Sequence, residues 1–163
     1  MTSPAHALAD EYLAGAFAVR AAVADMSREQ LLARPIPGRW STMEVVCHLA
    51  DFEQVFADRI KRIIALPEPP LYLAADENLY VQALAYHERD LEEQLQLIEA
   101  TRRDVARIIR HLSPEQLQKT GCHNLRGLQT LEKVIRTIIN HIPHHLAFVA
   151  EKRRALGLPV LSS

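Results

Sequence analysis

The sequence predicts an all-α fold, a four-helix bundle with short extra helices in its connections. Three observations predict it. Ala, Leu, Glu, Gln and Arg dominate long stretches. Only five glycines occur among 163 residues. No stretch alternates apolar and polar residues as a half-buried strand does. Apolar residues make up 48% and charged residues 24% of the chain, an ordinary globular composition. The length suits one domain with a full core, taken as residues 1–163.

The first helix is expected over about Pro4 to Ala24. Ser27-Arg28-Glu29-Gln30 is a capping-box pattern opening a short helical turn, stopped by Pro35 and Pro37. The second long helix has the strongest start signal. Ser41 is its expected N-cap, Glu44 the reciprocal partner, and Trp40 and Val45 fill the two positions of a hydrophobic staple. That bracket is the role expected of Trp40. The helix carries His48 and runs to about Leu66, where Pro67, Pro69 and Pro70 end it. A loop through Asp76-Glu77-Asn78 leads to the third helix, about Leu79 to Leu112 and the longest. Ser113-Pro114-Glu115-Gln116 opens a short helix, with Gly121 as its stop. An irregular stretch around Cys122-His123-Asn124 precedes the fourth long helix, about Leu128 to Leu156, closed by Gly157 and Pro159. Ser27-x-Glu29-Gln30-Leu31 echoes Ser113-x-Glu115-Gln116-Leu117. If the echo is structural, each half is long, short, long helix, and two helical hairpins pack with approximate two-fold symmetry.

Composition excludes several functions. Net charge is −1, so no basic excess attracts a phosphate backbone and no nucleic-acid partner is expected. Lys152-Arg153-Arg154 reads as a solvated helix end, where positive charge suits the dipole. No apolar run is long enough to span a membrane, and no membrane partner is expected. Met1 to Asp10 lacks the basic and apolar regions of a secretory signal, and Cys47 and Cys122 make no disulfide framework. A cytoplasmic location is the default expectation. Glu-x-x-His repeats, His-Glu-x-x-His, C-x-x-C, Gly-rich phosphate loops and Gly-x-Ser-x-Gly are all missing.

Three histidines carry the chemistry that remains. His141 and His145 stand four apart on one helix face and can offer two imidazoles to one ion. His48 could supply a third from a facing helix. Three nitrogens leave one coordination position open, the pattern of a catalytic site rather than a sealed structural one. Such a donor set suits a divalent metal: zinc, nickel, iron or copper.

The segment Trp40-Ser41-Thr42-Met43-Glu44-Val45-Val46-Cys47-His48-Leu49-Ala50-Asp51-Phe52-Glu53 resembles the second helix of the DinB/YfiT-like family. Asn140-His141-Ile142-Pro143-His144-His145 resembles its fourth helix. The resemblance implies a four-helix bundle, often dimeric, with a divalent metal held by three histidines. By position these are His48, His141 and His145. Described members of the family include thiol transferases that use low-molecular-weight bacterial thiols, and a thiol-dependent isomerase.

Around the ligands, Glu44 and Asp51 lie one turn either side of His48, with Glu44 already explained by its capping box. Asp51 and Glu53 equally suit helix-surface charges paired with arginines. His144 points roughly 60° from His141 and is expected at the rim. His87 and His123 are further candidates to approach the site. Pro143 withholds a hydrogen bond from the Ile139 carbonyl, so it either tunes the ligand geometry through a kink or is simply tolerated. Arg59, read as exposed, is expected in a surface salt bridge, with contact to an anionic substrate group as the alternative. The leading function is a metal-dependent enzyme for a small-molecule substrate, acting by thiol transfer or hydrolysis. The alternative is a stress-associated dimeric protein that binds metal without turnover.

Overall fold

The structure, a computed structural model, describes residues 4–160. Residues 1–3 and 161–163, the ends of the expected 1–163 unit, lie outside the described residues. Helix α1 (Pro4–Val23) is followed by α2 (Arg28–Leu32) and α3 (Thr42–Ala65). Both later helices open on complete capping boxes, Ser27 with Gln30 and Ser41 with Glu44. Next come a two-residue strand β1 (Leu71–Tyr72), α4 (Glu77–Ala83), a 3₁₀ turn (Tyr86–Glu88) and α5 (Leu91–Arg110). Helix α6 (Pro114–Leu117), a hairpin of β2 (Thr120–His123) and β3 (Gly127–Thr130), and α7 (Leu131–Ala155) complete the fold. The bundle of four long helices with short helices in its connections is the expected fold class.

The packing order differs from the hairpin pairs expected from the internal echo. Helices α1 and α3 each pack on α5 and α7. The first and second long helices, α1 and α3, therefore lie across a diagonal, as do the third and fourth, α5 and α7. The echo holds for element order, and Ser113 completes a capping box with Gln116 as Ser27 does with Gln30. Caps encode where a helix starts; they do not encode which neighbour it packs against.

The third helix is two. Ala85 takes a left-handed conformation, φ 48°, and Asp90 caps a new helix by accepting from Glu93 N at 3.0 Å. The break turns Tyr86 fully inside, where its hydroxyl donates to Asp51 Oδ2 at 2.7 Å. The expectation of no sheet is also corrected. Strand β2 pairs parallel with β1 and antiparallel with β3. Gly121 is not the stop of a helix but the second residue of β2; a Cβ there would collide with the Tyr72 ring and Ile63. Strands of two to four residues are too short to show an alternating pattern. The same hairpin delays α7, which starts after its N-cap Thr130 rather than at Leu128.

Two apolar clusters fill the bundle, one built around Tyr12, Ile60, Val105 and Ile135, the other around Val19, Met43, Leu49 and Ile98. Between them lies a polar layer. Arg102 and Glu53 are both fully buried. Arg102 donates to Glu53 Oε1 from Nε at 2.8 Å and from Nη2 at 2.5 Å. It also donates to the carbonyls of Ile138, at 3.0 Å, and Tyr12. The Tyr12 hydroxyl donates to Glu53 Oε2 at 2.8 Å. All four long helices thus meet on one ion pair. Glu53 is not a surface charge; every oxygen it presents is matched by a donor from another helix. Asp51 is paired with Arg89 at 2.8 Å, as well as with Tyr86.

Arg102→Met should destabilise the bundle by about 3–5 kcal/mol, because it strands a buried carboxylate. Gly15→Ala should act in the same direction, since a Cβ at Gly15 meets the Arg102 guanidinium. Urea denaturation checks both. Unchanged midpoints would show that the layer can be dismantled freely.

Candidate metal centre

Helix α3 brings His48 into the bundle one turn beyond its buried first turn, and α7 brings His141 and His145 from the facing side. His48 Nε2 lies 2.9 Å from His141 Nε2 and 3.1 Å from His145 Nε2. Four-coordinate zinc at about 2.0–2.1 Å from nitrogen needs ligand atoms roughly 3.3 Å apart, so these spacings fit a single ion with little movement. Hydrogen bonding does not explain the cluster. Each neutral imidazole has one N–H, and three Nε2 atoms turned on one another cannot all be matched. All three Nδ1 atoms are buried with no hydrogen-bond partner among the described protein atoms. The donor set therefore fits a cation at the Nε2 atoms, with a proton left on each Nδ1. Among the described residues, no fourth His, Cys, Asp or Glu joins the group.

Burial, then the neighbouring histidines, push His48 down to about 2. Burial followed by His145 and Arg102 brings His141 to about 3, and burial with His144 and Lys152 brings His145 to about 4. All three rings are therefore neutral across the physiological range, the form that ligates a metal. Burial pushes the Cys47 thiol up to about 12 while it donates to the Tyr86 carbonyl, so Cys47 is inert packing.

The rings are oriented by aromatic packing, not by carboxylates. Trp40 lies parallel to His145 with centroids 6.2 Å apart and tilts over His48 at 5.1 Å. Phe52 covers His48 at 4.3 Å. Trp40 thus contributes a wall of the site as well as the expected bracket. Glu44 stays with Arg34 and its capping box. Pro143 sits inside an unbroken α7.

The centre faces a cavity of about 530 Å³ lined by Trp40, Glu77, His141, His145, Phe148 and Lys152, among others. His144 lies at its rim, edge-on to His145. A second cavity, about 250 Å³, is bordered by His141, Glu77, His123, Arg59 and Arg126. His87 is exposed beside Glu88 and takes no part. Arg59 is 7% exposed rather than a surface residue. It lies between the rings of Phe56 and Tyr72 and donates to the Leu73 carbonyl at 2.6 Å, because β1 folds back over α3.

The residue that sequence reasoning missed is Glu77. The sequence places it in a loop, but it is the first residue of α4, capped by Asp76, whose Oδ1 accepts from Asn78 N and Leu79 N. Its Oε2 lies 3.9 Å from His48 Nε2. With His48 neutral this is not an ion pair; it is a carboxylate at the mouth of the nitrogen cluster. The Asp76 cap was the signal that could have marked the helix, though nothing local marks its direction.

The metal-free protein should lose stability as pH falls from about 6.5 to 4.5. The three histidines bind protons in the unfolded chain near 6.5 but in the fold only well below it, so the unfolded state gains protons first. Urea midpoints across that window check this, and a His141→Ala, His145→Ala variant should show a flatter slope.

Comparison with known proteins agrees with this architecture. The family model of the DinB superfamily matches residues 16–149. A protein of Oceanobacillus iheyensis, whose name assigns it provisionally to the metal-dependent hydrolases, is 32% identical over 127 residues, 78% of this chain and 73% of its own. The fold matches that of YfiT from Bacillus subtilis, described as a probable metal-dependent hydrolase with an unusual four-helix bundle topology. The TM-score is 0.87 at 22% identity, over 98% of this chain and 92% of that one. Helices long and apolar enough to cross a membrane are absent among the described residues. The chain belongs to the DinB superfamily.

Proposed function

We propose that the chain is a metal-dependent hydrolase of small molecules, with His48, His141 and His145 as the metal ligands. One observation carries the reading: three neutral imidazole nitrogens converge beside an open cavity, and among the described residues no fourth protein ligand closes them. A metal-storing or structural role would favour a closed set. The name of the Oceanobacillus relative supports the same class.

When bound there, a divalent ion supplies Lewis acidity and lowers the pKa of a water ligand towards neutrality. The chain's own residues do the rest. Glu77 Oε2 is within reach of the same space, takes up the proton of the attacking water and returns it to the leaving group. Trp40, Phe52 and Phe148 exclude bulk water from the ring edges. The absence of carboxylates on Nδ1 keeps the imidazoles weak donors, which leaves the ion more acidic.

Thiol transfer is the second reading. It is favoured by the cavity on the other side of His141 and Glu77. A transfer needs room for two organic substrates, whereas hydrolysis needs one.

Replacing any one of the three histidines with Ala should sharply lower metal content by elemental analysis while preserving the helical spectrum. Full occupancy in a His48→Ala, His141→Ala double variant would remove the assignment. Glu77→Gln should keep the metal and reduce kcat about 10²–10⁴-fold on an ester or amide substrate. If a low-molecular-weight thiol conjugates an electrophile in a metal-dependent way while esters and amides are inert, the transfer reading replaces hydrolysis.

A further inference from the structure

Resting on the reading of the histidine centre as an active site, we propose that Lys152 and Arg39 form an anion-binding end of its cavity. The substrate is then a small molecule carrying a compact oxyanion, a carboxylate or a phosphate.

Lys152 was expected on a solvated helix end, yet it is 2% exposed. Its ammonium group offers three donors, and among the described residues it meets one acceptor, the Phe148 carbonyl at 3.2 Å. Neither Lys152 nor Arg39 has a carboxylate within 4.0 Å among the described residues, and Arg39 makes no side-chain hydrogen bond there.

The neighbouring Arg153 shows what a structural cation looks like in this fold. It is equally buried, but it donates to the carbonyls of Pro159, Ala22 and Ala24, at 2.7, 3.2 and 3.0 Å. Lys152 has no such set. A lysine needed only for the helix dipole keeps its head in water at no desolvation cost. Burial in fact pushes the Lys152 ammonium below its ordinary value, with Glu151 opposing, Arg39 reinforcing and Glu44 opposing the shift.

Both cations lie on one ring. Arg39 Cζ is 5.5 Å and Lys152 Nζ 5.9 Å from the centroid of Phe148. Phe148 in turn stands 5.8 Å from His145. All four residues line the cavity of about 530 Å³. Its one acidic lining residue, Glu77, sits beside His48. The cavity is therefore polarised, with the proton acceptor at the nitrogen cluster and two spare cations beyond Phe148. A substrate whose scissile bond faces the histidines would point its anionic group at Lys152 and Arg39. Phe148 would pack its apolar middle.

Trp40 is the sole tryptophan and lines this cavity, so its fluorescence reports binding. The full-length protein, metal-loaded and after chelation, is titrated with hexanoate, inorganic phosphate and neutral hexanamide. Saturable binding of either oxyanion in preference to hexanamide supports the site, and the tighter one names the group. Lys152→Met should raise that Kd about ten- to hundredfold, the effect of losing one charged hydrogen bond. Lys152→Arg should retain binding, and Arg39→Ala should weaken it less. Lys152→Met should also hold or raise the urea midpoint, because it removes a buried charge; a lysine kept for the fold would give the opposite.

Equal binding of hexanamide, or unchanged oxyanion binding in Lys152→Met, overturns the proposal. Metal content is measured on the same samples. Lost anion selectivity with normal metal uptake defeats the anion site alone. Retained anion binding in protein that takes up no metal defeats the metal-centre reading alone.

Discussion

The Arg102–Glu53 pair is the constraint on which the rest of the molecule depends. It joins α3 to α5 directly, α7 through the Ile138 carbonyl and α1 through Tyr12. A buried ion pair contributes little net stability compared with an apolar replacement of the same shape. What it does supply is register. His48 lies five residues before Glu53, and His141 three after Ile138. Sliding α7 by one turn along α3 would break the Arg102 bond to Ile138 and separate His48 from His141 and His145 together. The geometry of the centre is thus a consequence of the polar layer beneath it. Gly15 belongs to the same device, because only a residue without a Cβ lets α1 approach the guanidinium.

Above that layer the chemistry follows from what the rings lack. Ligating histidines usually have their second nitrogen tied to a carboxylate, carbonyl or water. Here aromatic faces hold the rings instead, and the nearest acid, Glu77, is turned to the Nε2 side. An acid on Nδ1 would raise ligand basicity; an acid on the open side can accept a proton from whatever enters. The same carboxylate belongs to a water-activating site more readily than to a storage site.

Most of the fold was legible in the sequence because helix starts are local. Ser27, Ser41 and Ser113 cap within three residues of the partners that identify them. The meeting of three histidines was legible for a related reason: an i, i+4 pair fixes two positions, and the family resemblance points to the third. What stayed hidden depends on distant partners. The Arg102–Glu53 pair spans 49 residues, and the strands are held by pairings such as Leu71 with Cys122. The break before α5 needs Tyr86 to reach Asp51, which no local pattern around Ala85 reveals. The sequence puts Lys152 at a solvated helix end, Arg59 in a surface salt bridge and Glu53 equally well in a surface pair with an arginine, since a charged side chain on a helix carries no mark of the face it meets. Only packing decides, and in each case it turned the charge inward.

Those inward charges are unevenly spread, and the distribution itself bears on function. In the half around Ile60 and Ile135 the buried polar side chains have partners: Arg59 donates to the Leu73 carbonyl and His123 accepts from Leu125 N. The half of the bundle beyond the polar layer holds three unmatched Nδ1 atoms and a lysine with a single acceptor. Each unmet buried polar group costs about 1–3 kcal/mol, against a total stability of roughly 5–15 kcal/mol for an ordinary domain. A fold under selection for stability alone would lose such groups readily, because apolar replacements of similar size are favourable there. Their concentration around one cavity, while the buried polar groups of the opposite half are partnered, is the pattern expected where ligands provide the missing partners. A cation would meet the nitrogens and an anion would meet Lys152 and Arg39. Binding to the native state alone would then add back the stability that those unmatched groups cost.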